Sequence, residues 1–90
     1  MYLARVIGTV VSTSKDERLV GFKLLLTRRL TEEGLVTGTP EVCVDTVGAG
    51  TGETVIVTKG SSARFAADRR EAPIDSTIVG IVDTVEIDGR

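Results

Sequence analysis

Apolar and polar positions alternate with a period of two over most of this chain, the spacing that places alternate side chains on opposite faces of a strand. Tyr2 to Ser12 reads as a first strand, with Ala4, Val6, Gly8 and Val10 on one face. Leu3, Arg5, Ile7, Thr9 and Val11 form the other, a mixture of charged and apolar groups. Gly8 inside that run predicts a bulge or a close backbone approach. Gly21 to Leu30 reads as a second strand, with Phe22, Leu24 and Leu26 on one face and Leu25 on the other. Thr31-Glu32-Glu33-Gly34 is a turn, and Pro40 punctuates the approach to a third strand, Glu41 to Val47. A fourth strand covers Thr54 to Thr58. Ser61 or Ser62 is placed to cap a short helix that runs through Ala67. The charged loop Asp68 to Ala72 ends at Pro73, and Ser76 to Ile87 forms the last and longest strand, with Gly80 inside it.

Four strands, a short helix and a fifth strand predict an all-β fold: a small five-stranded barrel of the oligonucleotide/oligosaccharide-binding (OB) type with one short helix. The usual OB order puts its helix between strands three and four, whereas here it falls between four and five. Ninety residues predict one domain, 1–90. A domain of this size sits near the margin of stability and is commonly reinforced by disulfides, metals or self-association. Cys43 is the only cysteine and there is no histidine, which excludes an internal disulfide and a histidine/thiolate metal cage. Self-association remains. The mixed face of the first strand and the Leu25 side of the second are the expected apolar patches.

Charge narrows the function. A net charge of −2 and a pI near 5.0 argue against a nucleic-acid or anionic-membrane binder. Aromatics are 3 % of the residues, too few for a base-stacking platform. No apolar run approaches the roughly 20 residues that span a bilayer, and Met1-Tyr2-Leu3-Ala4-Arg5 lacks the order of a signal peptide, so a cytoplasmic location is expected.

The glycine-dense run Asp45-Thr46-Val47-Gly48-Ala49-Gly50-Thr51-Gly52-Glu53 links two apolar strands. A phosphate cradle fails on detail, because Glu53 stands where a P-loop needs lysine and a dinucleotide fold needs glycine. A tight turn requiring positive φ is the simpler reading. A turn so poor in side-chain bulk also lets a second protein's backbone approach, with Glu53 free to meet a basic neighbour. Ser61, Ser62 and Arg64 could hold a small anion, although a capped helix with a solvated Arg64 is the simpler reading. No catalytic constellation is present: without histidine there is no triad, and Cys43 between Val42 and Val44 reads as a buried, inert thiol. Asp45, Asp75 and Asp83 read as turn, cap or ion-pair residues.

Four stretches together resemble one family: Arg5-Val6-Ile7-Gly8-Thr9-Val10-Val11-Ser12-Thr13; Leu24-Leu25-Leu26; Asp45 to Glu53; and Pro73-Ile74-Asp75 with Ile78-Val79-Gly80-Ile81-Val82-Asp83. The chain resembles the vertex proteins of bacterial microcompartments, the carboxysome and ethanolamine-utilisation (EutN/CcmL) type. The resemblance implies a structural, non-enzymatic subunit without cofactor or metal, forming a homopentamer that caps the corners of a polyhedral protein shell in the cytoplasm. It further implies hexameric facet proteins as neighbours, met by Gly48, Ala49, Gly50, Gly52 and Glu53, with Ser12, Thr13, Ile81, Val82 and Asp83 near the same seam. The rival reading is an OB-like module for single-stranded nucleic acid or a small anion. A nucleotide-dependent enzyme would need an active site shared between subunits.

Overall fold

The computed structural model describes residues 1–89. Strands β1 (Tyr2–Val10), β2 (Lys23–Leu30), β3 (Val36–Asp45), β4 (Thr54–Lys59) and β5 (Ser76–Val82) close into a barrel in the order β1-β2-β3-β5-β4. Helix α1 (Gly60–Ala66) lies between β4 and β5, and a 3₁₀ turn spans Glu17–Leu19. All pairings are antiparallel except β3 with β5, which is parallel.

The barrel interior is small and aliphatic. Ala4, Val6, Leu25, Cys43, Ala49, Val55, Val57 and Ile78 form one buried cluster, with Tyr2 packed against it. A second cluster lies outside the barrel wall, under α1: Val44, Ala63, Ala67, Ala72 and Ile74, flanked by Leu19, Phe22 and Leu24. The helix is held there by Thr77, whose hydroxyl donates to the Ala63 carbonyl at 2.8 Å.

Several expectations need correction. Leu25 is fully buried inside the barrel, so it offers no external patch. The strand face read as Phe22, Leu24 and Leu26 is the outer one, and Leu25 with Thr27 points inward. The first strand ends at Val10, not Ser12, and the second starts at Lys23. β3 begins five residues before Glu41, at Val36, and carries Pro40 within it. Pro40 is tolerated because the β2–β3 register slips there, from Thr27↔Glu41 to Arg29↔Thr37, so it falls in an irregularity of the ladder. Arg28 Nε donates to the Gly38 carbonyl in that bulge at 2.9 Å. The last strand stops at Val82, and β3 is the longest. Residues 83–87 share its apolar character but not its pairing. The helix N-cap is Lys59, with no side-chain cap hydrogen bond, so neither Ser61 nor Ser62 caps it.

The bulge expected at Gly8 is present: the β1–β2 register shifts between Val6 and Gly8. The shift interrupts the period-two alternation: Val6 pairs with the inward Thr27 but Gly8 with the outward Leu26, and Ile7 between them is 39 % exposed. A Cβ at Gly80 would stand 3.3 Å from Ile56 Cδ1, a tight contact from which the end of the Ile56 side chain would have to shift.

Candidate functional site: the glycine rim

The strand directions place the ends of β1, β3 and β5 and the starts of β2 and β4 at one rim of the barrel. The segment between Asp45 and Thr54 crosses this rim. Asp45 organises its entry as a turn residue, accepting from the Val47 amide (3.1 Å) and the Ala49 amide (3.0 Å). Lys23 Nζ donates to the Ala49 carbonyl at 2.6 Å, and the Thr46 hydroxyl donates to the Ile78 carbonyl at 2.8 Å. The exit is stitched to β1: the Gly52 amide donates to Val6 O (2.8 Å) and the Val6 amide to Glu53 O (3.0 Å).

Within this turn the residues divide by role. Gly48 (φ +79°) and Gly52 (φ +91°) occupy left-handed backbone that only glycine adopts without strain. Gly50 does not, and a Cβ there would meet nothing nearer than Glu53 Oε1 at 3.6 Å, an ordinary contact. Neither backbone conformation nor crowding within the subunit therefore explains Gly50. Ala49 is fully buried and plugs the barrel end, so its side chain is inside the subunit. The Glu53 carboxylate accepts from the Gly50 amide at 2.7 Å, so one of its oxygens serves the turn itself.

The register also brings Val82 beside Thr54 and Ile81 beside Val55, so the end of β5 adjoins Glu53. Asp83 follows immediately and is exposed. Ser12 and Thr13 share the rim but lie past the paired part of β1; the Ser12 hydroxyl donates to Ser14 O at 2.8 Å and makes no bond to the glycine turn. Sequence reasoning missed two rim residues. Ile7 and Val47 are each 39 % exposed beside Ile81 at 38 %, giving the glycine turn an apolar surround. Alternation from the inward Val6 already sets Ile7 on the outer face with Leu3 and Arg5; only its place at the rim needed the structure.

The other barrel end holds a polar cluster that sequence reasoning also missed. Glu41 on β3 contacts a side chain from every other strand. Oε1 accepts from the Tyr2 hydroxyl of β1 at 2.9 Å and lies 3.8 Å from Arg29 Nε of β2. Oε2 accepts from Lys59 Nζ of β4 at 2.5 Å and from the Ser76 hydroxyl of β5 at 3.4 Å. The Arg29 guanidinium stacks 3.6 Å over the Tyr2 ring. The Lys59 hydrogen bond holds the Glu41 carboxyl below its usual range, and Glu41 in turn raises Lys59. Burial pushes the Tyr2 phenol up, with the Glu41 bond adding to it. Nothing in the linear spacing of these residues marks them; only the register gathers them.

Ser61, Ser62 and Arg64 are brought together on the exposed side of α1. They line a shallow dish of about 510 Å³ with Phe65 and Arg70. Arg64 is half-buried, donating to the Ile74 carbonyl at 3.3 Å, rather than free in solvent. Cys43 is fully buried, its Sγ 3.3 Å from the Thr27 hydroxyl, and burial pushes its thiol up, the setting of an inert cysteine. Tyr2 and Phe22 are each covered by an arginine, leaving Phe65 as the one strongly exposed aromatic among the described residues. One exposed ring is no platform for stacked bases.

A family model described as "Ethanolamine utilisation protein EutN/carboxysome" matches residues 1–83. The bacterial microcompartment shell vertex protein GrpN of Rhodospirillum rubrum is 60 % identical over 86 residues, 96 % of this chain and 97 % of that protein. The shell vertex protein PduN of Salmonella typhimurium is 51 % identical over 89 residues, 94 % of this chain and 98 % of that protein. The solved structure of GrpN, described as a pentameric microcompartment shell protein, superposes with a TM-score of 0.86, covering 97 % of this chain and 98 % of that one. That of Gloeobacter violaceus CcmL superposes with a TM-score of 0.92 at 43 % identity, covering 100 % and 93 %. With near-full-length identity, the same barrel and a rim built around the glycine turn, the chain belongs to the EutN/CcmL family of microcompartment shell vertex proteins, whose members are structural rather than enzymatic.

Proposed function

We propose that five copies of this chain form a ring that closes the vertices of a polyhedral bacterial microcompartment in the cytoplasm. The observation that carries the reading is the 60 % identity to GrpN, itself a pentameric shell protein, over nearly the whole chain. The geometry supports it. A sheet of six-fold tiles closes into a shell only with five-fold corners, a need met by shape and contact alone. A cyclic ring is built from heterologous contacts, so each copy presents two different patches.

The neighbours proposed for the rim are the hexameric facet proteins of the same shell. Gly50 supports this reading, being bare without an internal reason. Gly48, Gly52 and Ala49 shape the turn, while Gly50, Glu53, Ile81, Val82 and Asp83 meet the facet, with Ser12 and Thr13 at its margin. Co-expression with the facet proteins tests this. Closed polyhedra by electron microscopy are expected with the chain present, and open sheets or tubes without it. Equal closure in both cases would refute the vertex role.

A further inference from the structure

Resting on the ring reading above, we propose that neighbouring copies join by seating the Phe65 face of one copy in the groove beside β1 of the next. The groove, of about 410 Å³, is lined by Leu3, Arg5, Leu30, Thr54, Val85 and Ile87. It lies on the outer face of β1, walled by the turn after β2 and by the segment that follows β5.

Three observations support the pairing. The first is position. In the barrel order, β1 neighbours β2 and β4, whereas α1 packs chiefly on β5 and its apolar cluster includes Val44 of β3. The groove and the helix dish therefore occupy different flanks of the subunit, as the heterologous contacts of a ring of identical copies require.

The second is shape and polarity. Phe65 is 71 % exposed, a large ring that a lone subunit leaves wet. Val85 is likewise 53 % exposed in the groove wall. Aromatic side chains seated in apolar pockets are the usual anchors of protein interfaces.

The third is charge. The dish side carries Arg70, which forms no ion pair among the described residues, with Arg64 beside it. The segment forming the groove wall is acidic, with Asp83, Glu86 and Asp88 interleaved with Val85 and Ile87. Opposite signs on the two flanks favour joining flank to flank and disfavour pairing either flank with its own copy.

Light scattering and native mass spectrometry on the full chain test the proposal. The wild type is expected at the mass of five chains. Phe65→Ser and Arg70→Glu should each fall to smaller species at micromolar concentration, with folding confirmed by circular dichroism. Val85→Asp, on the groove side, should do the same, and it keeps the test decisive should Phe65→Ser fail to fold. Combining Arg70→Glu with Glu86→Arg should restore the five-chain mass. Phe65→Ser and Val85→Asp remaining five-chain on dilution would overturn this seam and leave the ring intact. Failure of the charge exchange to restore a ring lost in Arg70→Glu would overturn the pairing of these two flanks. A wild type that is itself monomeric would overturn the ring reading beneath both.

Discussion

The Tyr2 hydroxyl donates to Glu41 Oε1 at 2.9 Å, joining β1 to β3, two strands that are not neighbours in the barrel. With Lys59 and Ser76 on its other oxygen and Arg29 nearby, Glu41 acts as a clasp across the open end of the barrel. The cluster is partly solvated, with 28 % of the Glu41 side chain and 38 % of the Lys59 side chain exposed, so screening tempers its strength. Glu41→Gln keeps the shape and loses the charge. It is expected to cost about 1–2 kcal/mol, read as a lower midpoint in urea unfolding with an unchanged slope.

The same clasp sets an acid limit. The folded-state pKa of Glu41 lies below the ordinary 4.5, so its stabilisation is fully present above that value and is lost as pH falls through the depressed one. Lys59 is raised above 10.5, so its share is present below that pH and is lost as pH rises through the raised value. Stability of the wild type should therefore fall below about pH 4.5, and the Glu41→Gln variant should show a shallower fall. Parallel pH profiles of the two melting temperatures would contradict the clasp.

The glycines of the rim separate folding from assembly. Gly52→Ala forces a side chain into left-handed backbone and should cost about 1–2 kcal/mol, seen as a lower melting temperature. Gly50→Val should leave melting nearly unchanged while reducing co-assembly with facet proteins. If Gly50→Val instead melts like Gly52→Ala and assembles normally, Gly50 serves the turn and not a neighbour.

Much of this architecture was legible in the sequence because period two and turn chemistry are local signals. The five strands, the bulge at Gly8 and the helix before the last strand follow from them. What was hidden depends on register. Pro40 inside β3 contradicts a local rule and is accommodated only because the ladder slips beside Arg28. Leu25 turns inward because it pairs with Cys43 of the barrel interior, while Leu24 flanks the cluster outside the wall. Glu41 gains its position from closure of the barrel, and no spacing along the chain encodes it. The glycine turn was legible as a unit, whereas the division between Gly48 and Gly52 on one side and Gly50 on the other needed backbone angles.

Cys43 reports on opening of the barrel. It is fully buried beside Thr27 with its thiol raised by burial. A thiol reagent at pH 8 should modify it only in denaturant or at the rate of unfolding. Rapid labelling of the folded protein would contradict the closed interior.

The most direct test of the central claim is the mass of the purified protein in dilute solution, by light scattering with native mass spectrometry. The account predicts a discrete species of five chains. A protein that persists as a single folded chain across micromolar concentrations would contradict it.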